Sequence, residues 1–217
     1  MGFQCSSFHC SVLVDRLSRQ FTQVYDQPSE YHFCLEPVIA AEWIAQHQGP
    51  WPRELKIADV GAGCGVFGME LCHHLRRFSR CHSLELHGFE IQELFFPFFQ
   101  RNRARAPNSK SIYWQPGDIR RTASHWRGAF DLIVANLPFF PRENSILSPS
   151  SVRSQCRFEL NGLNSELEQT ILTMLKPKGL AYVLTRGFLP PEGILSQIVI
   201  RIRRSFLVRY ENTVIDP

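Results

Sequence analysis

Lysine is scarce in this sequence. Only Lys56, Lys110, Lys176 and Lys178 stand among 24 cationic residues, the rest being Arg, against 20 acids and a formal net charge of +4. Arginine's planar fork suits phosphate recognition and base stacking, so the bias leans toward a nucleic-acid partner, although genomic base composition would give the same counts. Paired cysteines are missing too. The seven present (Cys5, Cys10, Cys34, Cys64, Cys72, Cys81, Cys156) are odd in number and scattered, with no C-x-x-C, so they read as free thiols and not as a disulfide framework. Cys72-His73-His74 and Cys81-His82 match the spacing of no common zinc module, and neighbouring helical residues point in different directions, so no metal is expected. No run approaches the roughly 20 apolar residues that span a bilayer, and residues 1–19 lack the apolar core of a signal peptide. The expectation is a cytoplasmic protein with no membrane association. Internal repeats, a Ser/His/Asp order and a nucleophile elbow are likewise absent.

What is present is a globular composition, 44% hydrophobic and 20% charged over 217 residues, enough for one doubly wound domain and too little for two with a linker. Apolar runs alternate with helix-like stretches. Strands are expected at 56–60, 83–89, 111–114, 130–135 and 180–184, and helices at about 36–47, 66–77, 93–105 and 163–175. Strands separated by helices of ten to fifteen residues argue for β-α-β units around a parallel sheet. Residues 193–204 and 206–215 read as one further helix and strand, the helix being weakened by its β-branched content.

The first chemical signal is Asp59-Val60-Gly61-Ala62-Gly63-Cys64-Gly65, between a predicted strand and a predicted helix. Glycines there let the backbone turn sharply and approach a nucleotide-like ligand at the carboxyl edge of the sheet. The same letters contain Gly63-x-Gly65-x-x-Gly68, with Glu90 at 22 residues beyond Gly68, so NAD competes. Two acids favour S-adenosylmethionine (SAM) instead. Asp59 at the strand end would repel a pyrophosphate but could accept from a cationic amino acid, directly or through water. Asp118, after the third strand, could accept from an adenine amino group. Asp59, Glu90 and Asp118 thus stand at successive strand ends.

The second signal follows the fourth strand, in Asn136-Leu137-Pro138-Phe139. With it, the chain resembles the class I SAM-dependent methyltransferases whose fourth motif reads Asn/Asp-Pro-Pro-Tyr/Phe, enzymes acting on planar exocyclic or amide nitrogens. The resemblance implies a Rossmann-like, doubly wound, mainly parallel sheet. In that family the Asn side-chain oxygen and the next carbonyl accept from the target NH2 while the aromatic ring stacks on the substrate. Those roles fall here on Asn136, the Leu137 carbonyl and Phe139, with Pro138 shaping the turn. Leu137 departs from the usual Pro; the carbonyl survives, but the loop loses rigidity.

The flanks narrow the resemblance. Tyr31-His32-Phe33-Cys34-Leu35-Glu36 before an apolar helix, Arg153-Ser-Gln-Cys156-Arg157-Phe158-Glu159, and Leu175-Lys-Pro-Lys-Gly179 are similar to segments of the bacterial tRNA-valine adenine-N6 methyltransferases. Cys156 and Phe158 replace that family's usual Ala and His. The implied cofactor is SAM, leaving as S-adenosylhomocysteine. The residues implied to hold it are Phe33, Asp59, Gly61, Gly63, Gly65, Glu90 and Asp118, with Asn136 between cofactor and acceptor. The implied substrate is tRNA, methylated at adenine N6 beside the anticodon. A glutamine amide in a translation protein offers the same planar NH2 and stays open. So does a catalytically silent RNA-binding scaffold, with an NAD dehydrogenase last. Residues 1–50 are expected as an extension carrying a helix packed on a methyltransferase domain spanning 51–217, the sheet's C-terminal edge stopping one strand short. Arg76, Arg77, Arg80, Arg101, Arg103 and Arg105 are candidates for a phosphate-binding rim, while the run Phe95, Phe96, Phe98 and Phe99 reads mostly as core.

Overall fold

Alternating side chains decide the architecture. In the computed structural model, which describes residues 21–29, 32–136, 140–141, 158–159, 163–185 and 196–212, seven strands form one sheet. They are β1 (Glu54–Val60), β2 (Ser83–Glu90), β3 (Ile112–Pro116), β4 (Phe130–Asn136), β5 (Leu175–Thr185), β6 (Ser196–Ile202) and β7 (Ser205–Glu211). Their spatial order is β3-β2-β1-β4-β5-β7-β6. The first five are parallel, whereas β7 runs antiparallel to both β5 and β6.

The period of two sends Ile57, Leu86, Leu132, Val134 and Leu184 to one face and Ala58, Val60, Phe89, Ile133, Ala135 and Val183 to the other. A sheet apolar on both faces must be covered on both. On the first face lie α1 (Glu36–His47), α2 (Val66–Phe78) and α3 (Phe96–Arg105), which bury Ile39, Ile44, Leu71, Leu75 and Phe99. On the second lie α4 (Ile119–Thr122) and α5 (Leu163–Met174), which bury Ile119, Ile171 and Met174.

Two expectations change. Residues 196–202 form a strand and not a helix, because Ile198, Val199, Ile200 and Ile202 are β-branched and two of them, Ile200 and Ile202, alternate into the core. With β7 this strand completes the C-terminal edge, so the sheet does not stop one strand short. The inserted antiparallel strand also departs from the dinucleotide-binding order, in which the sixth strand simply extends the sheet beyond the fifth. The predicted helix over 93–105 opens with a 3-10 turn, Glu93–Phe95, before α3. Of its aromatic run, Phe95 and Phe99 are core, while Phe96 is exposed.

Candidate active site

Strand register brings the proposed residues to a single edge. Val60 pairs with Phe89 on one side and Ala135 on the other, so Glu90, Gly61 and Asn136 follow at the same level, each about 4.8 Å from its neighbour strand. Glu90 pairs with Pro116, which puts Asp118 two residues beyond the end of the row. The order along the edge is Asp118, Glu90, the glycine loop, Asn136.

The loop has left-handed backbone at Gly61 (φ 72°), Gly63 (φ 52°) and Gly65 (φ 83°). A Cβ on Gly61 or Gly63 would meet nothing within 4 Å, so both glycines border open space. A Cβ on Gly65 would lie 2.6 Å from Met69 Cε and 2.9 Å from the Phe99 ring, so this glycine serves close packing. The loop is tied to β2 because the Gly61 and Ala62 amides both donate to the Phe89 carbonyl, at 2.9 and 3.0 Å. Helix α2 has Gly65 as its N-cap residue, with no side chain to cap the first turn.

Asp59 lies beneath this loop. Its side chain is 1% exposed and its Oδ2 accepts from the Gly68 amide at 2.8 Å. Burial lifts its pKa to about 7, opposed by that amide and reinforced by the charge of Glu90. Gly68 is the residue that permits the contact, since a Cβ there would stand 2.7 Å from Leu86 Cδ1 and 3.0 Å from Asp59 Oδ2. Glu90 is buried as well. It accepts from the Gly63 amide at 2.8 Å and the Gln92 amide at 2.9 Å, and burial raises its pKa against those bonds. Both acids therefore brace the loop from below and from the side.

Asp118 differs from them. It caps α4 by accepting from the Arg120 amide at 3.1 Å and binds the Arg120 guanidinium through Nε and a second nitrogen, which hold its pKa below the usual carboxylate range. Arg120 in turn reaches Glu166 on α5 at 3.0 Å. The ion pair spends part of the carboxylate's four acceptor positions and leaves room for one more donor. Phe33 is half-buried, edge-on to Phe21 and Tyr25 at centroid distances of 5.2 and 5.9 Å, and packs with Val38, Cys64, Val66 and Phe95 against the loop. Asn136 ends β4 half-buried. Leu137, Pro138 and Phe139 lie outside the described residues, as do Tyr31, Arg153, Cys156 and Arg157.

Two further residues, Asn102 and Ile91, carry no signal in the motifs, and a third, Glu36, stands in the 31–36 motif with no role implied for it by the resemblance. Asn102 on α3 is fully buried, donating to the Cys64 carbonyl and the Asp26 carbonyl, both at 2.9 Å, and accepting from the Asp26 amide at 2.7 Å. It staples the segment 21–29 to the glycine loop. Ile91, directly after Glu90, is 57% exposed, an apolar surface beside the acid. Glu36 at the start of α1 is buried, with Oε2 lacking a partner among the described residues. An oxygen in that condition suits a donor that arrives with a ligand. The expected phosphate rim is altered: Arg101 and Arg105 pair with Asp26 at 2.7 and 3.1 Å, and Arg103 binds the Ser109 carbonyl. Among the described residues no cluster of three or more His, Cys, Asp or Glu could hold a metal, and no helix is long and apolar enough to cross a membrane.

Comparison with solved structures settles the architecture. A precorrin-6y C5,15-methyltransferase from Geobacter metallireducens superposes with a TM-score of 0.56 over 86% of this chain and 94% of its own, at 8% identity. The chain has the class I methyltransferase fold. An RNA methyltransferase from Salinibacter ruber in complex with S-adenosyl-L-homocysteine matches with a TM-score of 0.51 and 12% identity over 84% of this chain and 94% of its own. Among curated proteins, a tRNA1(Val) (adenine(37)-N6)-methyltransferase from Shewanella sp. strain W3-18-1 is 26% identical over 151 residues, 69% of this chain and 58% of that protein. One of the same name from Serratia proteamaculans is 23% identical over 130 residues, 60% of this chain and 47% of its own length. The chain thus spans about half the length of the curated relatives it matches. No family model matches. The class I fold and these relatives agree with the resemblance drawn from the glycine loop and Asn136, and all of these proteins are named as methyltransferases, none as a dehydrogenase.

Proposed function

We propose that this chain is a SAM-dependent N-methyltransferase that modifies adenine N6 in tRNA beside the anticodon. The observation that carries the reading is the level row of Glu90, the open glycines Gly61 and Gly63, and Asn136 across three adjacent strands. Curated relatives named for that reaction support it.

The residues fit the cofactor. Gly61 and Gly63 leave the space a ligand needs, Glu90 keeps acceptor positions for ribose hydroxyls, and Ile91 offers an apolar face to a ring. Asp118 keeps an acceptor position that an exocyclic amine could fill. Asp59 lies under the loop, where its charged form would favour an ammonium above it. Phe33 closes the apolar wall behind Cys64 and Val66. When bound, SAM supplies an electrophilic methyl group on a sulfonium.

The protein's task is then positioning. An exocyclic amine is a poor nucleophile because its lone pair is delocalised into the ring. The Asn136 side-chain oxygen and the Leu137 carbonyl would grip its two hydrogens, favouring a pyramidal nitrogen whose lone pair is withdrawn from conjugation with the ring, and Phe139 would hold the base by stacking. An adenine in a structured loop must be splayed out to enter such a site.

The test is methyl transfer from radiolabelled SAM into total RNA and protein of a strain lacking this gene, with Asn136→Ala as control. Label in tRNA that digests to N6-methyladenosine and vanishes with Asn136→Ala is the expected result. Label in a protein glutamine instead would replace the substrate assignment. SAM binding without label in either pool would favour the silent scaffold, and absence of SAM binding would remove the methyltransferase reading.

A further inference from the structure

The antiparallel insertion that ends the sheet shapes the acceptor side of the site. Because β7 runs against β5, with Thr185 paired to Phe206, the β6–β7 turn emerges at the same edge as Gly61 and Asn136. Ile202 pairs directly with Ser205, so the turn is the two residues Arg203 and Arg204. Both are exposed, as is Arg201 on the edge strand, while Ile202 and Ser205 on either side are buried and fix the base of the turn. Asn136 stands on β4, and the turn spans the ends of β7 and β6, two and three strands away, about 10–14 Å.

We propose that Arg201, Arg203 and Arg204 form a phosphate clamp that holds the RNA backbone flanking the base presented to Asn136. The inference rests on the proposed RNA substrate and adds to it a recognition surface. Three observations point to it. First, these guanidiniums lack a carboxylate partner among the described residues, whereas Arg101, Arg105, Arg120 and Arg209 are each spent on an acid. Two of the arginines expected to form a rim, Arg101 and Arg105, are neutralised by Asp26, whereas the hairpin carries three guanidiniums close together with no acid beside them among the described residues. Second, Arg203 has φ 56°, a left-handed conformation at the first turn position, where glycine or asparagine is the inexpensive choice. A long cation at this position costs backbone strain that glycine would avoid, which suits a role for its side chain. Third, Arg201 is held in place: its Nε donates to the Arg203 carbonyl at 3.2 Å and its guanidinium lies 5.8 Å from the Phe206 ring centroid. The turn is therefore braced by the strand beside it, with planar forks suited to bidentate phosphate contact.

The test uses the full chain and an unmodified valine tRNA transcript, with binding followed by fluorescence anisotropy at several salt concentrations. The variants are Arg203→Gly with Arg204→Gln, where glycine suits the turn's backbone, and Arg203→Lys with Arg204→Lys. The neutral pair is expected to weaken tRNA binding by about tenfold and to flatten the slope of log K against log salt by about 1 per contact removed. The lysine pair keeps most of the slope, and neither pair changes SAM affinity or lowers Tm. If the wild-type chain binds and methylates the tRNA and the neutral pair does so with equal affinity and slope, the clamp is wrong while the tRNA reading stands. Loss of Tm or SAM affinity along with RNA binding would make the turn structural and overturn the clamp. If the wild-type chain neither binds nor methylates RNA and labels protein instead, the clamp falls together with the tRNA reading.

Discussion

A carboxylate 1% exposed under a glycine loop has to be reconciled with the cost of burying charge, and Asp59 shows how. One amide, that of Gly68, offsets only part of the desolvation, and Glu90 on the next strand adds to the cost, so the proton is held up to about pH 7. The folded chain then binds this proton more tightly than the unfolded one. Stability attributable to Asp59 is greatest below about pH 4 and declines as pH rises to about 7, above which it levels off. Asp59→Asn keeps an acceptor for the Gly68 amide and removes the titration. Its unfolding free energy from urea titration should match wild type near pH 4 and exceed it at pH 8, by about 2 to 4 kcal/mol at most. Cofactor affinity should move the opposite way. An ammonium ligand favours the ionised carboxylate, so calorimetric SAM affinity of the wild type rises between pH 5.5 and 7, while that of Asp59→Asn is weaker and flat. A wild-type affinity that ignores pH in that window would confine Asp59 to a bracing role. Its position at a strand end beside glycines was legible in the sequence; its burial was not, because that depends on α2 closing over it.

The loop itself separates two uses of glycine that look identical in sequence. Gly61 and Gly65 both have left-handed backbone, but Gly61 borders open space and Gly65 touches Met69 and Phe99. Gly61→Ala should cost about 1 kcal/mol from backbone strain alone, roughly 2–4 °C in Tm, while its methyl enters the cofactor space and weakens SAM binding at least about tenfold. Gly65→Ala carries the same strain plus an overlap within packed side chains, so it should cost about 2–4 kcal/mol, with SAM affinity lost only in step with folding. Thermal melts set beside calorimetric titrations of the two variants distinguish these costs; equal melts would mean that Met69 and Phe99 yield easily. At this scale the sequence was informative about β1 to β5, where apolar runs and glycine punctuation agree. It failed at 196–202, where polar residues among isoleucines mimic a helical stripe until pairing with β7 decides.

Across the whole molecule, the proposed function would divide the sheet edge into a cofactor half at β3, β2 and β1 and an acceptor half at β4, β5 and the β6–β7 turn, which follow one another in the strand order. That division was partly legible, since Asp59, Glu90, Asp118 and Asn136 follow one another in chain order at strand ends. The staple that sets the loop's rear wall was not, because it joins residues 76 positions apart. Asn102 offers its amide and carbonyl to Asp26 and Cys64, Glu70 accepts from both the amide and hydroxyl of Thr22 at 2.9 Å, and Gln23 reaches the Asn102 carbonyl at 3.1 Å. These bonds hold the segment 21–29 across α2 and α3 and bring Phe21 and Tyr25 onto Phe33. The ion pairs of Asp26 with Arg101 and Arg105 are exposed and add little. The buried amide carries the attachment. Asn102→Ala removes the side-chain bonds to the Cys64 carbonyl and to the Asp26 carbonyl and amide, at a cost of about 2–4 kcal/mol, and frees the segment before it unfolds the sheet. Limited proteolysis should therefore cut within 21–29 in Asn102→Ala several-fold faster than in wild type, at temperatures where the far-UV signal is unchanged. SAM affinity should fall with it, because Cys64 loses its anchor beside Gly63 and Gly65. Arg101→Ala, which removes an exposed pair with Asp26 and a surface contact with the Phe98 ring, should leave both rates alike. Cleavage that speeds up only as the whole chain melts would show that the segment and the sheet are one cooperative unit.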